Sequence, residues 1–403
     1  MTTHKKYIIL AAMVILTVTQ VFPCEYNIRD SGFVEIASQP YLLYFYVDSA
    51  VPEEKIRFFN KISQTLFRDT NITPETIHIK KSKKSTALEY FRFWNIDSLP
   101  ALILVSPDKR SIPLPIDHTE KNFGQALWDT LDKTAASPVR GKVLENIVRS
   151  YAVILLFEGK DLANNQAVLN KIDTAKKNIS RLMTQFPKRI EKPPHLIVLS
   201  RNKIRREKIL LWSLDIEING PDEPKIVILF GRGRLFLTPL KGNQVSSSQL
   251  TNILSILGLS CDCGLDKRGM MGPRLPLRWD AAIQAQVVKY LGFDAENPMI
   301  RQEIAGILST ENFRSSVLSL EENKIKGSLM ELDLYSESIQ SFGRRFSSKR
   351  ISPAQNQGLG TSRSNRTGPI LNSTRLVTAG AAILAIILVV SLIIFIKRRR
   401  KKL

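Results

Sequence analysis

The chain has 403 residues and a formal net charge of +21, from 58 Lys and Arg against 37 Asp and Glu. With 43% hydrophobic and 8% aromatic residues, 20 Gly and 20 Pro, it is neither disordered nor collagen-like, and its length accommodates two or three domains that each bury a core. Three cysteines are too few for a disulfide scaffold, and four scattered histidines speak against a zinc enzyme.

The charge is unevenly placed. No acidic residue follows Glu337 but thirteen basic ones do, so residues 1–337 carry 45 basic and 37 acidic side chains, a net of +8. That is ordinary for a globular body, and no nucleic-acid footprint is expected from it. At the N-terminus, Lys5 and Lys6 precede an apolar run from Tyr7 to Phe22, the form of a secretory signal over residues 1–24; Thr17-Val18-Thr19 is an acceptable cleavage pattern, and cutting there leaves Cys24 at the start of the mature body. Pro23 and Phe22 before Cys24 fit a lipoprotein signal badly, and an uncleaved anchor is the alternative.

Residues 25–140 read as the first domain. Tyr41 to Val47 is an aromatic-rich apolar run, a buried strand; Pro52 to Leu66 has apolar residues near helical spacing; Thr76 to Ile79 is a short strand and Ser85 to Trp94 a helix. Ala101 to Val105, a turn, and Ser111 to Pro115 form two further strands, and Asn122 to Ala135 closes as a helix. The order is β-α-β-α-β-β-α. With Leu99-Pro100-Ala101 before the third strand, the unit resembles the thioredoxin fold, whose members carry a cis-proline there and Cys-x-x-Cys after the first strand. The resemblance implies that the Leu99–Pro100 bond is cis. Ala50-Val51-Pro52-Glu53 stands at the Cys-x-x-Cys position, keeping the inner proline and lacking both thiols.

Residues 141–263 repeat the pattern. Ala152 to Phe157 is a strand, Asn165 to Phe186 a helix, Pro194 to Leu199 a strand, and Lys203 to Ile216 reads as helical. Pro224 to Phe230 and Leu235 to Pro239 form a hairpin, and Ser247 to Leu257 is a helix. The glycines of Gly231-Arg-Gly233 join two strands, so they are turn residues and not a phosphate loop. This unit also resembles a thioredoxin-like domain, with Pro224 in the place of Pro100 and no Cys-x-x-Cys after its first strand; an unrelated α/β sandwich is the alternative.

Cys261-Asp262-Cys263 is the sharpest chemical feature. Two thiols one residue apart can form a strained, easily reduced disulfide suited to an exchanger or isomerase. They can also hold half of a soft metal site, or one of them can bridge to Cys24 and tie down the N-terminus. Lys267, Arg268 and Arg274 would lower a thiol pKa if they approach it. His78, His118 and His195 are isolated, and no paired carboxylates or nucleophile–base pair stand out.

Residues 264–310 read as a two-helix appendage, with Asp280 capping the first helix and Ile283, Val287, Val288 and Leu291 forming a core stripe. Arg274, Arg278 and Trp279 form an interaction surface, or Trp279 simply packs the appendage onto its domain. Residues 311–375 are partly helical and then, from Ser341, a flexible basic linker. Residues 376–396 include twenty uncharged residues from Val377, enough for a transmembrane helix, and Lys397–Lys402 begins the basic cytosolic tail 397–403.

The expected architecture is thus α/β: two thioredoxin-like sandwiches, an appendage, a linker and one membrane helix. The whole resembles membrane-anchored bacterial envelope proteins, with the body outside the cytosol and a single-pass anchor in the inner membrane; an endoplasmic-reticulum membrane protein is the alternative. The lost thiols imply a scaffold that binds a protein partner in the envelope, without a cofactor and without nucleic acid. The alternative is a thiol–disulfide oxidoreductase or isomerase with Cys261 and Cys263 as its catalytic residues. Carriage of copper or zinc by the same pair ranks third.

Overall fold

A computed structural model of the chain describes residues 26–36, 39–80, 86–116, 122–186, 188–259 and 272–309. The expected signal, linker, membrane helix and tail, and all three cysteines, lie outside the described residues. No described helix is long and apolar enough to cross a membrane.

A short helix α1 (Ile28–Ser31) precedes the first sheet. That sheet has the order β2-β1-β3-β4, with β1 Tyr41–Val47, β2 Ile72–His78, β3 Ala101–Val105 and β4 Ser111–Leu114. β1 and β2 run parallel; β3 is antiparallel to β1 and to β4. β1 sits inside the sheet and is covered on both faces, which is why its apolar run is nearly continuous rather than alternating. One face packs on α2 (Glu53–Phe67) and α4 (Phe123–Ala135), and the rings of Phe45 and Phe59 stack there with centroids 4.2 Å apart. The other buries Tyr44, Tyr46 and Ile103 against α3 (Thr86–Phe93). β2 starts four residues earlier than the sequence suggests. Pro74 obscured it, and an edge strand tolerates a proline that a central strand does not.

After α5 (Pro138–Ile147) the arrangement recurs: β5 Val153–Phe157, α6 Leu162–Leu182, β6 His195–Leu199, β7 Lys225–Phe230, the two-residue strands β8 Arg234–Leu235 and β9 Leu240–Lys241, and α9 Ser247–Ile256. The strand order is β6-β5-β7-β8, with β5 and β6 parallel, β7 antiparallel to both β5 and β8, and β9 pairing β7. The expected helix from Lys203 to Ile216 is two short ones, α7 Arg201–Ile204 and α8 Lys208–Ser213. The break lies at Glu207. Its buried carboxylate turns away to accept from the Val139 amide (3.0 Å) and the Ser137 hydroxyl (2.5 Å), capping α5. The appendage is α10 (Ala281–Leu291), capped by Asp280 and ended by Gly292, and α11 (Pro298–Ser309). In its stripe Val287 and Leu291 are buried, whereas Val288 faces outward, 41% exposed.

Two findings correct the expected boundaries. Residues 26–36 belong with the second core and not the first: Tyr26, Ile28, Phe33 and Val34 are buried among its side chains. The amides of Ile28 and Arg29 donate to the carbonyls of Leu259 (3.0 Å) and Leu257 (2.9 Å), beyond the end of α9. The Arg29 guanidinium reaches the carbonyls of Ser150 (3.0 Å) and Val148 (2.5 Å). Second, the two sandwiches are sewn together. Ile209 and Trp212 of α8 enter the first core, and Arg110 donates to the carbonyls of Trp212 (2.6 Å) and Ser213 (3.2 Å).

Residues 272–279 run as a strap along this seam. Arg274 bridges to Arg234 on the second unit, and Arg278 bridges to Thr70 on the first. The Asn71 side chain clamps the strap from both sides, donating to Leu275 O (3.0 Å) and accepting from Leu277 N (3.0 Å). Asn71→Ala is expected to cost about 2 kcal/mol, because it leaves two backbone groups unpaired. Hydrogen exchange checks it: the amides of Leu277 and Trp279 should exchange faster while those of β5 stay protected. Unchanged strap protection would contradict the clamp.

Candidate functional site

In a thioredoxin-like sheet the reactive position lies where the first strand gives way to a helix, opposite the proline loop. There a thiol at the helix N-terminus is held as thiolate by the helix dipole. In the first unit, register pairs Ala101 with Tyr46, so Pro100 comes level with Val47 and the turn into α2. The Leu99–Pro100 bond is cis and Pro100 is buried. The turn itself is Asp48-Ser-Ala-Val-Pro52. Asp48 accepts from the Ala50 amide (3.0 Å), Val51 is buried, and Ser49, Ala50 and Pro52 are exposed. No group in that turn from Ser49 to Pro52 can act as an electron-transfer thiol. What it presents is a small surface of backbone, apolar carbon and the Ser49 hydroxyl, which accepts from Lys80 Nζ (3.3 Å).

In the second unit the same place is closed. Phe157 pairs with Lys225, so Pro224 lies level with Glu158. Its bond is trans, so the correspondence with Pro100 is one of position only. A Cβ on Gly159 would stand 2.6 Å from the Asp222 carbonyl oxygen and 2.8 Å from the Pro224 nitrogen. The loops therefore touch backbone to backbone, and only glycine fits. The Lys160 amide donates to Asp222 O (2.9 Å), and the Asn165 side chain both accepts from Gly159 N (2.8 Å) and donates to Gly159 O (3.2 Å). Asp161 caps α6 through the Ala163 amide (2.8 Å).

Cys24, Cys261 and Cys263 lie outside the described residues; Arg274 lies in the seam. It pairs with Glu35, while Arg232 bonds Glu296 (2.8 Å) and lies 5.3 Å over the Trp279 ring. Burial pushes the Arg234 guanidinium down to about 10, opposed by Glu35 and reinforced by Arg274 and Arg232. Its donors go to the carbonyls of Gly32 (3.2 Å) and Val34 (3.3 Å). These arginines hold the N-terminal segment in place. The sequence marked Arg274, Arg278 and Trp279 but not their partners. Among the described residues no His, Cys, Asp and Glu cluster could hold a metal ion, and His78 and His195 are not brought together with other ligating groups.

No protein-family model matches the chain, and no curated protein matches it. Solved structures with thioredoxin domains do. Human ERp44 in its zinc-bound form is 11% identical over 47% of this chain and 47% of that one, with a TM-score of 0.20, so the chain spans about half its length. The first two thioredoxin domains of Naumovozyma dairenensis Eps1p are 12% identical over 59% of this chain and 97% of that one, at 0.18. The NTD_N/C domain of Enterococcus faecalis alkylhydroperoxide reductase AhpF is 16% identical over 57% and 95%, at 0.16. What makes this chain thioredoxin-like in fold is the strand order and register of its own two sheets.

Proposed function

We propose that the chain is a membrane-tethered, extracytoplasmic scaffold that binds a protein partner in the envelope through thioredoxin-like domains without redox activity. The observation that carries this reading is the chemistry of the two reactive positions. One holds Ser49 to Pro52, which offer no thiol, and the other is closed by Gly159, Lys160 and Asp222. The exposed turn beside Pro100 is the surface we assign to the partner.

The second reading, thiol–disulfide exchange by Cys261 and Cys263, has one observation relevant to it. Cys24 precedes Ile28 by four residues and Cys261 follows Leu259 by two, and the Ile28 amide bonds the Leu259 carbonyl at 3.0 Å. At no more than about 3.6 Å per residue, chain reach allows Cys24 to meet either downstream thiol. We therefore expect a structural bridge from Cys24 to one of them. Peptide mapping of the full chain across graded glutathione buffers tests this. The scaffold reading predicts a Cys24 bridge, or inert thiols, throughout. A Cys261–Cys263 bond that opens and closes at about −200 mV, in the range of disulfide exchangers, would replace the scaffold reading with the enzyme.

A further inference from the structure

Between Lys176 and Lys192 the chain carries six cations and one carboxylate, Glu191. This stretch forms the lower half of α6 and the loop to β6, the outer strand of the second sheet. Arg149 and Lys289 join it from the end of α5 and from α10. Glu191 is bound by Arg149 (2.5 Å), and that bond, with Lys192 and Lys289 nearby, holds its carboxyl below the usual range. Lys176 pairs with Asp173 (3.7 Å), and Lys188 with Asp30 (2.9 Å). That leaves Lys177, Arg181, Arg189, Lys192 and Lys289, all exposed, with no carboxylate within ion-pair distance among the described residues.

The body's two ends meet beside this face. The Tyr26 hydroxyl donates to Glu303 of α11 (3.1 Å), and its ring packs edge-on against Phe293 (5.1 Å). Lys188 lies 4.9 Å over the same Phe293 ring and donates to Leu291 O (2.7 Å). Of the carboxylates on that side, Glu296 is paired with Arg232, whereas Asp294 and Glu303 accept from the neutral Gln284 amide and Tyr26 hydroxyl and keep their charge.

We propose that this face rests on the surface of an anionic lipid bilayer, so that the body is docked on the membrane and does not hang free from its tether. The inference builds on the membrane-anchored reading above. Uncompensated cations on a surface attract anionic headgroups, each contributing about fivefold to the partition. Among the described residues no large exposed aromatic lies on this face, and the half-buried Tyr290 ring is already covered by Arg149 (5.3 Å) and Lys289 (5.5 Å), so a bilayer fits the face better than a single strand.

The test uses the full chain in nanodiscs of phosphatidylcholine alone or with about one-third phosphatidylglycerol, probed by limited lysine acetylation and mass spectrometry. Lys177, Lys192 and Lys289 should react at least about threefold more slowly in the anionic discs, with Lys61 and Lys208 unchanged. The protection should vanish in about 1 M salt, where the Debye length falls to about 3 Å. In a variant carrying Lys177→Gln, Arg181→Gln, Arg189→Gln and Lys192→Gln, Lys289 should lose its protection. Equal rates in both discs overturn the proposal. Protection by a DNA oligonucleotide but not by anionic discs overturns the lipid assignment in favour of nucleic acid. If the chain does not enter phosphatidylcholine discs, the anchored reading fails by itself. Flotation with anionic vesicles then decides the face: binding lost in the variant supports it, and no binding of the parent chain overturns it.

Discussion

Replacing Arg140 with methionine is expected to lower the unfolding free energy by about 3–5 kcal/mol, the range for removing one side of a buried charged network. Arg140 is 2% exposed and stands where α4, α5 and the strap converge. Its Nη1 donates to the carbonyls of Thr134 (2.8 Å) and Pro276 (2.9 Å), Nη2 to Lys133 (2.6 Å), and Nε to the Ser137 hydroxyl (3.0 Å). Burial pushes its pKa down to about 10, opposed by Glu207, so it remains charged at neutral pH. Methionine fills similar space but leaves two buried carbonyls, Thr134 and Pro276, and the half-buried Lys133 carbonyl without this donor, the buried ones worth about 1–3 kcal/mol each. Arg140→Lys should recover part of the loss, since an ammonium keeps the charge but cannot reproduce the planar fork. Urea denaturation of both variants measures this; a loss under about 1 kcal/mol for the methionine variant would show that the network is not a linchpin.

Gly231→Ala should be strongly damaging, since it combines a left-handed backbone with a backbone clash. Gly231 has φ +54°, and a Cβ there would stand 2.2 Å from the carbonyl carbon of Gly32. Neither chain can retreat, because the Arg232 amide donates to Gly32 O (3.1 Å) and Arg234 bonds the same oxygen. The expected cost is about 4 kcal/mol, with loss of protection across residues 26–36 before the sheets melt. Gly292→Ala is the control. Its φ is +77°, but nothing lies within 4 Å of an added Cβ, so only the left-handed backbone cost of about 1 kcal/mol applies. Equal destabilisation by the two would mean that the clash at Gly32 relaxes freely. Thermal melts with hydrogen exchange separate the two contributions.

The elements made by local pattern were legible in the sequence. Apolar runs at β1, β3, β5 and β7, helical spacing in α2, the Asp280 cap and the proline before β3 each depend on neighbours a few residues away, and all appear where expected. What was missed depends on partners far along the chain. Nothing local to residues 26–36 says that Gly32 meets Gly231, or that Asn71 clamps a strap two hundred residues on. Nothing local marks Arg29, Arg140 and Arg234 as buried; they are buried because backbone carbonyls of distant segments receive them. The loss of thiols from the reactive positions was plain in the sequence. The closure of the second position was not, because it depends on Gly159 fitting against Asp222 and Pro224.

A scaffold reading requires that this chain turn over no disulfides. The full chain, and variants carrying Cys24→Ser, Cys261→Ser or Cys263→Ser, would be assayed for catalysed reduction of insulin disulfides by glutathione. As a scaffold, the parent chain should add nothing to the uncatalysed rate, and the three variants should match it. Catalysed reduction by the parent, lost on changing Cys261 or Cys263, would contradict the scaffold and make that pair the catalytic centre.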